Sequence, residues 1–311
     1  MLRYIFKRIL WMIPICLGVS LMVFVMVNSI PGDPGTIIMG SGATDEEIRA
    51  VNEQLGYYDP LWVRYLNFVK GAVVLDFGQS YVTRHNVFDD ICEKFQVSIK
   101  VAVAATLCTI AIGIPVGVLS AVKQYSVVDY ISRTIAMFLA TAPSFWVGLL
   151  LILYFSMKLD WLPSFGMDEP GWLIMPMLTC AALHGATTMR YTRSSMLDTI
   201  RQDYIRTVRS KGATESRVIW GHAIKNALIP VVQTVGGTFA TLLGGAIVTE
   251  SLFSLPGLGS YIVNGVKQRD VPVVMGGVLT ISVLHAVVIL AVDVINAMID
   301  PRIKAKLTKK R

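Results

Sequence analysis

Six long apolar runs alternate with polar segments along this chain, near residues 9–30, 97–122, 132–157, 172–189, 228–252 and 271–299. A helix needs about 20 residues to cross the hydrocarbon core of a bilayer. Each run therefore predicts one spanning helix, the fourth being the shortest. The period-2 alternation of a barrel strand does not accompany them, and a helix satisfies its own backbone where lipid offers no partner. The expected fold is an all-α integral membrane protein with six transmembrane helices. It has an extracytoplasmic insertion after the first helix and a cytoplasmic loop between the fourth and fifth. The first run follows Arg3, Lys7 and Arg8, as a secretory leader would. It is too long for a leader's apolar core and lacks a small-x-small cleavage site, so it is expected to remain as a helix.

The polar segments carry periodicity of their own. In 31–95, Thr44 and Glu47 form a capping-box pattern, and Ile48, Val51 and Leu55 share a helix face that stops at Gly56. Asp59-Pro60 opens a second helix with Trp62, Tyr65, Leu66 and Val69 apolar, ending at Gly71. Further on, Leu197, Ile200, Tyr204 and Val208 form a stripe, with Arg193, Arg201, Arg206 and Arg209 mostly elsewhere. Lys211-Gly212 reads as a helix stop. Thr214 caps a following helix with Glu215 near its positive end and Val218, Ile219 and Ala223 apolar, and the chain re-enters the membrane around Pro230. The predicted organisation is an N-terminal transmembrane helix (1–30), an extracytoplasmic helical cap (31–96), and a core of five transmembrane helices (97–311). The core includes a helix–glycine elbow–helix loop at about 190–230.

Composition agrees with a bilayer environment. Only 16% of residues are charged, against about 25% in soluble domains, and the mean hydropathy is +0.59. The net charge of +7 is distributed by side. With the N-terminus inside, inner segments hold 19 Lys and Arg and outer ones 9, while acids number 6 inside and 15 outside. That is the positive-inside pattern, with both termini cytoplasmic, and it leaves nothing that calls for nucleic acid. The four cysteines, Cys16, Cys92, Cys108 and Cys180, have no metal-ligand spacing, and His184 and His222 lack partners for a metal site.

Candidate chemistry is sparse. Gly237, Thr241, Gly245 and Thr249 recur every four residues in the fifth run, where small residues permit close helix packing or leave room for a solute. Gly113 and Gly117 flank Pro115, where packing or a kink is expected. Among ionisable residues in or beside spans, Asp293 is expected to pair with an inner-loop cation. Glu250 is expected to cap an outer loop or meet a cationic peptide terminus, and His285 to pack through hydrogen bonds or to line the path. No nucleophile–base or His–carboxylate constellation of an intramembrane enzyme occurs, and no inverted repeat with paired mid-membrane charges marks a stand-alone secondary carrier. A G-x-x-x-x-G-K-[ST] motif is missing too. Lys211-Gly212 has the reverse order, so nucleotide hydrolysis is expected on other chains.

One further pattern is more specific. Asp203-Tyr-Ile-Arg-Thr207, Gly212 and His222-Ala-Ile-Lys-Asn-Ala-Leu-Ile-Pro230, with glycine and proline eighteen positions apart, resemble the cytoplasmic EAA loop of ATP-binding-cassette importer permeases. The match is to the peptide and nickel branch, first permease subunit. Ile30–Pro34, Asp76–Ser80, Pro143–Trp146, Glu250–Gly259, Arg269–Pro272 and Asp300–Ile303 extend the resemblance over nearly the whole chain. Arg206-Thr207-Val208 stand where the loop's name has Glu-Ala-Ala; Arg and Thr are usual in the peptide branch, and Val208 replaces a small residue. The resemblance implies an ATPase-coupling loop comprising Asp203, Arg206, Thr207, Val208, Arg209, Lys211, Gly212, Glu215, Arg217, His222, Asn226 and Pro230. It implies a translocation path that includes Gly237, Thr241, Gly245, Thr249, Glu250 and His285. The implied partners are a second permease subunit, two cytoplasmic ATPases that hold ATP and Mg, an extracytoplasmic solute-binding protein and membrane lipid. The implied location is a bacterial or archaeal plasma (inner) membrane. Short peptides are the expected cargo, with nickel or nickel chelates the alternative.

Overall fold

The computed structural model describes residues 2–29, 32–40 and 42–299. Ile30-Pro31, Ser41, the Asp300–Ile303 motif and the basic tail at 302–311 lie outside the described residues. Thirteen α-helices order the described chain: α1 Leu2–Asn28, α2 Pro34–Met39, α3 Asp45–Gln54, α4 Leu61–Val73, α5 Val87–Val122, α6 Val127–Thr141, α7 Ser144–Leu151, α8 Ile174–Ile200, α9 Asp203–Ser210, α10 Ile224–Leu243, α11 Ile247–Leu252, α12 Leu258–Gln268 and α13 Val271–Ile299. Two π-helical segments, Ile152–Lys158 and Arg217–Ala223, extend α7 and lead into α10.

By length and composition, four helical stretches among the described residues suffice to cross a membrane: Ile5–Asn28, Val87–Val122, Arg217–Leu243 and Val271–Met298. The third apolar run is not one straight helix. It breaks at Ala142-Pro143, and Val127–Thr141 and Ser144–Lys158 meet at 106°. Proline lacks the amide to continue the ladder and disfavours helix in the residue before it. The fourth run is the core of a longer helix, α8, whose 27 residues include Thr179, His184, Thr187, Thr188, Arg190, Thr192 and Arg193. These polar residues remove it from the strongly apolar set, and it continues well past the expected end at 189. The fifth run is also broken. Gly245, at φ +100°, separates α10 from α11, so the expected continuous stripe from Gly237 to Thr249 is split over two helices. The sixth run matches α13.

The capping box is present: Thr44 Oγ1 accepts from Glu47 N, and Glu47 Oε2 accepts from Thr44 N at 2.8 Å. The stripe beside it was misjudged, because Leu55 is exposed and the fully buried residue of α3 is Asn52. Asn52 Oδ1 accepts from Gly35 N (2.7 Å), and its Nδ2 donates to Asp33 Oδ1 (2.7 Å). A local apolar pattern does not reveal an amide that bridges two segments. Helix α4 runs two residues beyond Gly71; a β-carbon there would lie 2.5 Å from Asp76 O, so the glycine serves a close approach instead of a stop. Helix α5 starts ten residues before the expected span, with Asn86 as its cap. It runs unbroken across the expected boundary at 96.

Helices α5 and α8 form the tightest pair. A β-carbon on Gly113 would meet Gly185 O at 2.9 Å; one on Gly117 would meet Met189 O and Thr192 Cβ at 2.7 Å. Packing, not a kink, is the use of both glycines. Gly117→Leu is expected to force α5 and α8 apart at a cost of about 1–3 kcal/mol, seen as a lower midpoint of thermal unfolding in detergent. Helix α1 exposes Phe6, Leu10, Trp11 and Met22 along its length, as suits a lipid-facing helix. It is held to α13 by Arg8 Nη2–Asp293 Oδ2 at 2.6 Å. A cation that meets Asp293 thus comes from α1.

Candidate functional site

The inner elbow is built on a small apolar nail. Helix α8 ends at Arg201, and a turn through Gln202 resets the helical register before α9 begins. The expected stripe Leu197–Ile200–Tyr204–Val208 therefore does not run through. Ile205, 0% exposed, takes the inward position, while Tyr204 is turned outward. Ile205 packs with Met196, Val218, Ile219, Ala223 and Ala227, and with Val118 and Ala121 at the inner end of α5.

Past α9 the chain turns at Gly212, φ +80°, and helical backbone resumes at Glu215. A β-carbon at Gly212 meets nothing within 4 Å, so backbone conformation and not space demands glycine there. The elbow is clasped by Arg209, whose Nε donates to Glu215 Oε1 (2.7 Å) and Nη2 to Oε2 (3.2 Å). That hydrogen-bonded guanidinium holds the Glu215 carboxyl below the usual range. Asn226 Nδ2 donates to the Tyr204 hydroxyl at 2.7 Å. Asp203 O accepts from Thr207 Oγ1 at 3.1 Å, and Arg206 lies 3.7 Å from the Asp203 carboxylate.

Of the sequence-predicted coupling residues, all but Val208 are exposed, and Val208 is half-buried. Arg206, Lys211 and Arg217 therefore project from one short, internally tied elbow, with His222, Asn226 and Pro230 following on its return segment. Gly212→Asn is expected to keep the elbow, since Asn tolerates a left-handed backbone. Gly212→Val is expected to cost about 1–2 kcal/mol, read as a lower midpoint of thermal unfolding; a midpoint unchanged in Gly212→Val counts against the backbone argument.

The path candidates separate. Gly237 has open space beside it, and Thr241, exposed, donates back to Gly237 O at 3.0 Å. Gly236 and Gly244 instead face α13, against Val292 and Ile281. Gly245 lies at the break, where a β-carbon would meet Gly259 Cα at 2.8 Å. Thr249 is buried, and Cys180 Sγ donates to its hydroxyl at 3.4 Å. His285 is exposed on α13. Glu250 is 0% exposed. It accepts from Ser98 Oγ (2.6 Å) and Ser260 N (2.9 Å), while Ser98 Oγ accepts from Leu258 N (2.8 Å).

Sequence reading passed over a second buried carboxylate. Asp129 at the start of α6 accepts from Arg193 Nε (2.7 Å) and Nη2 (2.8 Å), from Ser120 Oγ (2.5 Å) and from Tyr125 N (3.0 Å). The pair ties α5, α6 and α8 together just above the elbow. The Ser126-x-x-Asp129 capping pattern was the available signal, and Ser126 Oγ indeed accepts from Asp129 N. Ser80 was also missed. Its hydroxyl donates to Asp270 Oδ2 at 2.5 Å, bringing the Asp76–Ser80 and Arg269–Pro272 segments together.

The chain is thus a helical bundle with several helices long and apolar enough to cross a membrane and one exposed, basic elbow. Residues 113–305 match the family described as binding-protein-dependent transport system inner membrane component, and residues 1–102 match the corresponding N-terminal family. The chain belongs to that family. It is 39% identical over 306 residues to the glutathione transport system permease protein GsiC of Escherichia coli (strain K12), covering 98% of this chain and 100% of that one. It is 37% identical over 332 residues to the dipeptide transport system permease protein DppB of Alkalihalophilus pseudofirmus, with 98% and 100% covered. The solved inward-facing MetNI methionine ABC transporter shares the fold at a TM-score of 0.55 and 21% identity, over 68% of this chain and 96% of that one.

Proposed function

We propose that the chain is one of two permease subunits that form the path of an ATP-driven importer for short peptides. The single observation that carries the reading is the elbow. It is short, clasped by Arg209–Glu215, nailed by Ile205 to the inner ends of α5 and α8, and otherwise exposed. A rigid lever so anchored passes a displacement from a docked ATPase to the helices, biasing a two-state bundle. ATP and Mg sit on two partner ATPases, and a solute-binding protein delivers cargo outside. In this reading the bent pair and α8 add two crossings to the four apolar spans, and the positive-inside charge distribution supports cytoplasmic termini and a cytoplasmic elbow. Peptide cargo is favoured by the glutathione and dipeptide relatives; no relative named here transports nickel. The faces bearing Gly237, Thr241 and His285 line the path in this reading, with Gly245, Thr249 and Glu250 shaping its outer end. The test is co-purification followed by reconstitution. Two ATPases and a sister permease are expected to accompany the chain, and dipeptide uptake is expected only with ATP. Solute movement by the chain alone in liposomes, without nucleotide, overturns the reading.

A further inference from the structure

Between the outer ends of α1 and α13 and the cap helices α2 and α4 lies a cavity of about 400 Å³. That size falls within the range of small-ligand pockets, roughly 300–1,000 Å³. Its walls are of mixed charge: Asp33, Asp59, Arg64 and Arg269 line it together with Tyr57 and Tyr81. The Arg64 guanidinium stacks 4.9 Å from the Tyr57 ring centre and 6.0 Å from that of Phe24. It is half-buried and makes no ion pair with any described residue. A stacked guanidinium is oriented in advance, and its planar donors suit a carboxylate. Arg269 occupies a left-handed backbone conformation, φ 58°. Its guanidinium lies so close to Gly32 that a β-carbon there would stand 2.9 Å from Nη1. Arg269 is the left-handed cap residue that ends α12, at the rim of the cavity. Both Asp33 oxygens already accept from Thr36 or Asn52, so Asp59 supplies the remaining acceptor. Burial raises the Tyr81 hydroxyl to about 12, which keeps it protonated and able to donate.

We propose that this cavity is an outer holding site for a zwitterionic short peptide, with the carboxylate on Arg64, at the rim that Arg269 shares, and the ammonium on Asp59. The site deepens the importer reading and rests on it for which side of the membrane it faces. All of its described lining residues belong to this chain. Cargo released by a binding protein is retained there before the bundle opens.

The probe is radiolabelled dialanine in equilibrium dialysis against the full-length chain in nanodiscs. Free dialanine is expected to bind. C-terminal amidation, N-acetylation and Arg64→Gln are each expected to weaken binding at least about tenfold, the scale of one charge-assisted hydrogen bond. Leu61→Trp narrows the cavity without touching a charge and should abolish binding while helicity is retained. This second variant matters if Arg64→Gln fails to fold. Equal binding of free and amidated dialanine overturns the site. So does no dialanine binding together with capture of a binding-protein loop by the same arginines. ATP-driven uptake by the assembled importer separates the two failures. Uptake intact with no dialanine bound sinks the holding site alone, whereas dialanine bound without ATP-dependent uptake sinks the importer reading and leaves the site.

Discussion

Asp129→Ala is expected to lower the stability of the folded chain by about 3–5 kcal/mol, a fall of roughly 10 °C in the unfolding midpoint. The carboxylate is 0% exposed and takes both donors of one Arg193 face, a serine hydroxyl and a backbone amide. Removing it leaves a guanidinium with its side chain only 16% exposed and without its one ion pair among the described residues. An unpaired charge of that kind costs far more than a surface pair contributes. Removing both partners is expected to be milder: Asp129→Leu with Arg193→Met should recover much of the loss, because two apolar groups leave no orphan. The check is thermal unfolding of the single and double variants in one detergent. A single variant as stable as the parent would sink the latch. If stability is recovered but uptake is not, the pair also sets the angle at which α6 and α8 meet the elbow.

Glu250→Ala is expected to cost about 3 kcal/mol, since it strands the Ser98 hydroxyl and the Ser260 amide at once. Those two bonds join α5, α11 and the start of α12, so the loss should loosen the outer end of α10 and α11. Glu250→Gln keeps an oxygen acceptor and should lose about half as much. Gly257→Ala tests the same clasp sterically, because a β-carbon there would overlap the Glu250 carboxylate. Proteolysis of the 253–258 segment in membranes is the direct readout. Equal cutting of parent and Glu250→Ala would refute the clasp.

The failures of sequence reading share a cause. The apolar pattern found the spans at α1, α5, α10 and α13 because a helix that crosses lipid needs about 20 apolar residues in a row. It missed the 106° bend at Pro143 and the break at Gly245, because a proline or glycine in an apolar run looks the same whether the helix kinks or ends. It also carried the Leu197–Val208 stripe through Arg201-Gln202, where a two-residue reset delivers Ile205 to the core instead. The exposed elbow residues were legible because a local turn signal, Lys211-Gly212, governs them. Their clasp, Arg209 to Glu215, was not, since Glu215 already served a helix-start argument and Arg209 read only as a residue off the apolar stripe.

The sequence by itself determined that this protein lives in a bilayer, that its polypeptide is helical, and that one basic, glycine-hinged segment stands apart from the spans. These follow from transfer energies and backbone satisfaction, which depend on composition and short-range order. Only the tertiary structure decided that Asp129 belongs with Arg193, that Glu250 is enclosed by α5 and α12, and that Arg64 and Arg269 line one cavity. Partners 64, 152 or 205 positions apart meet only when helices pack, and no local pattern encodes which buried carboxylate will find which donor.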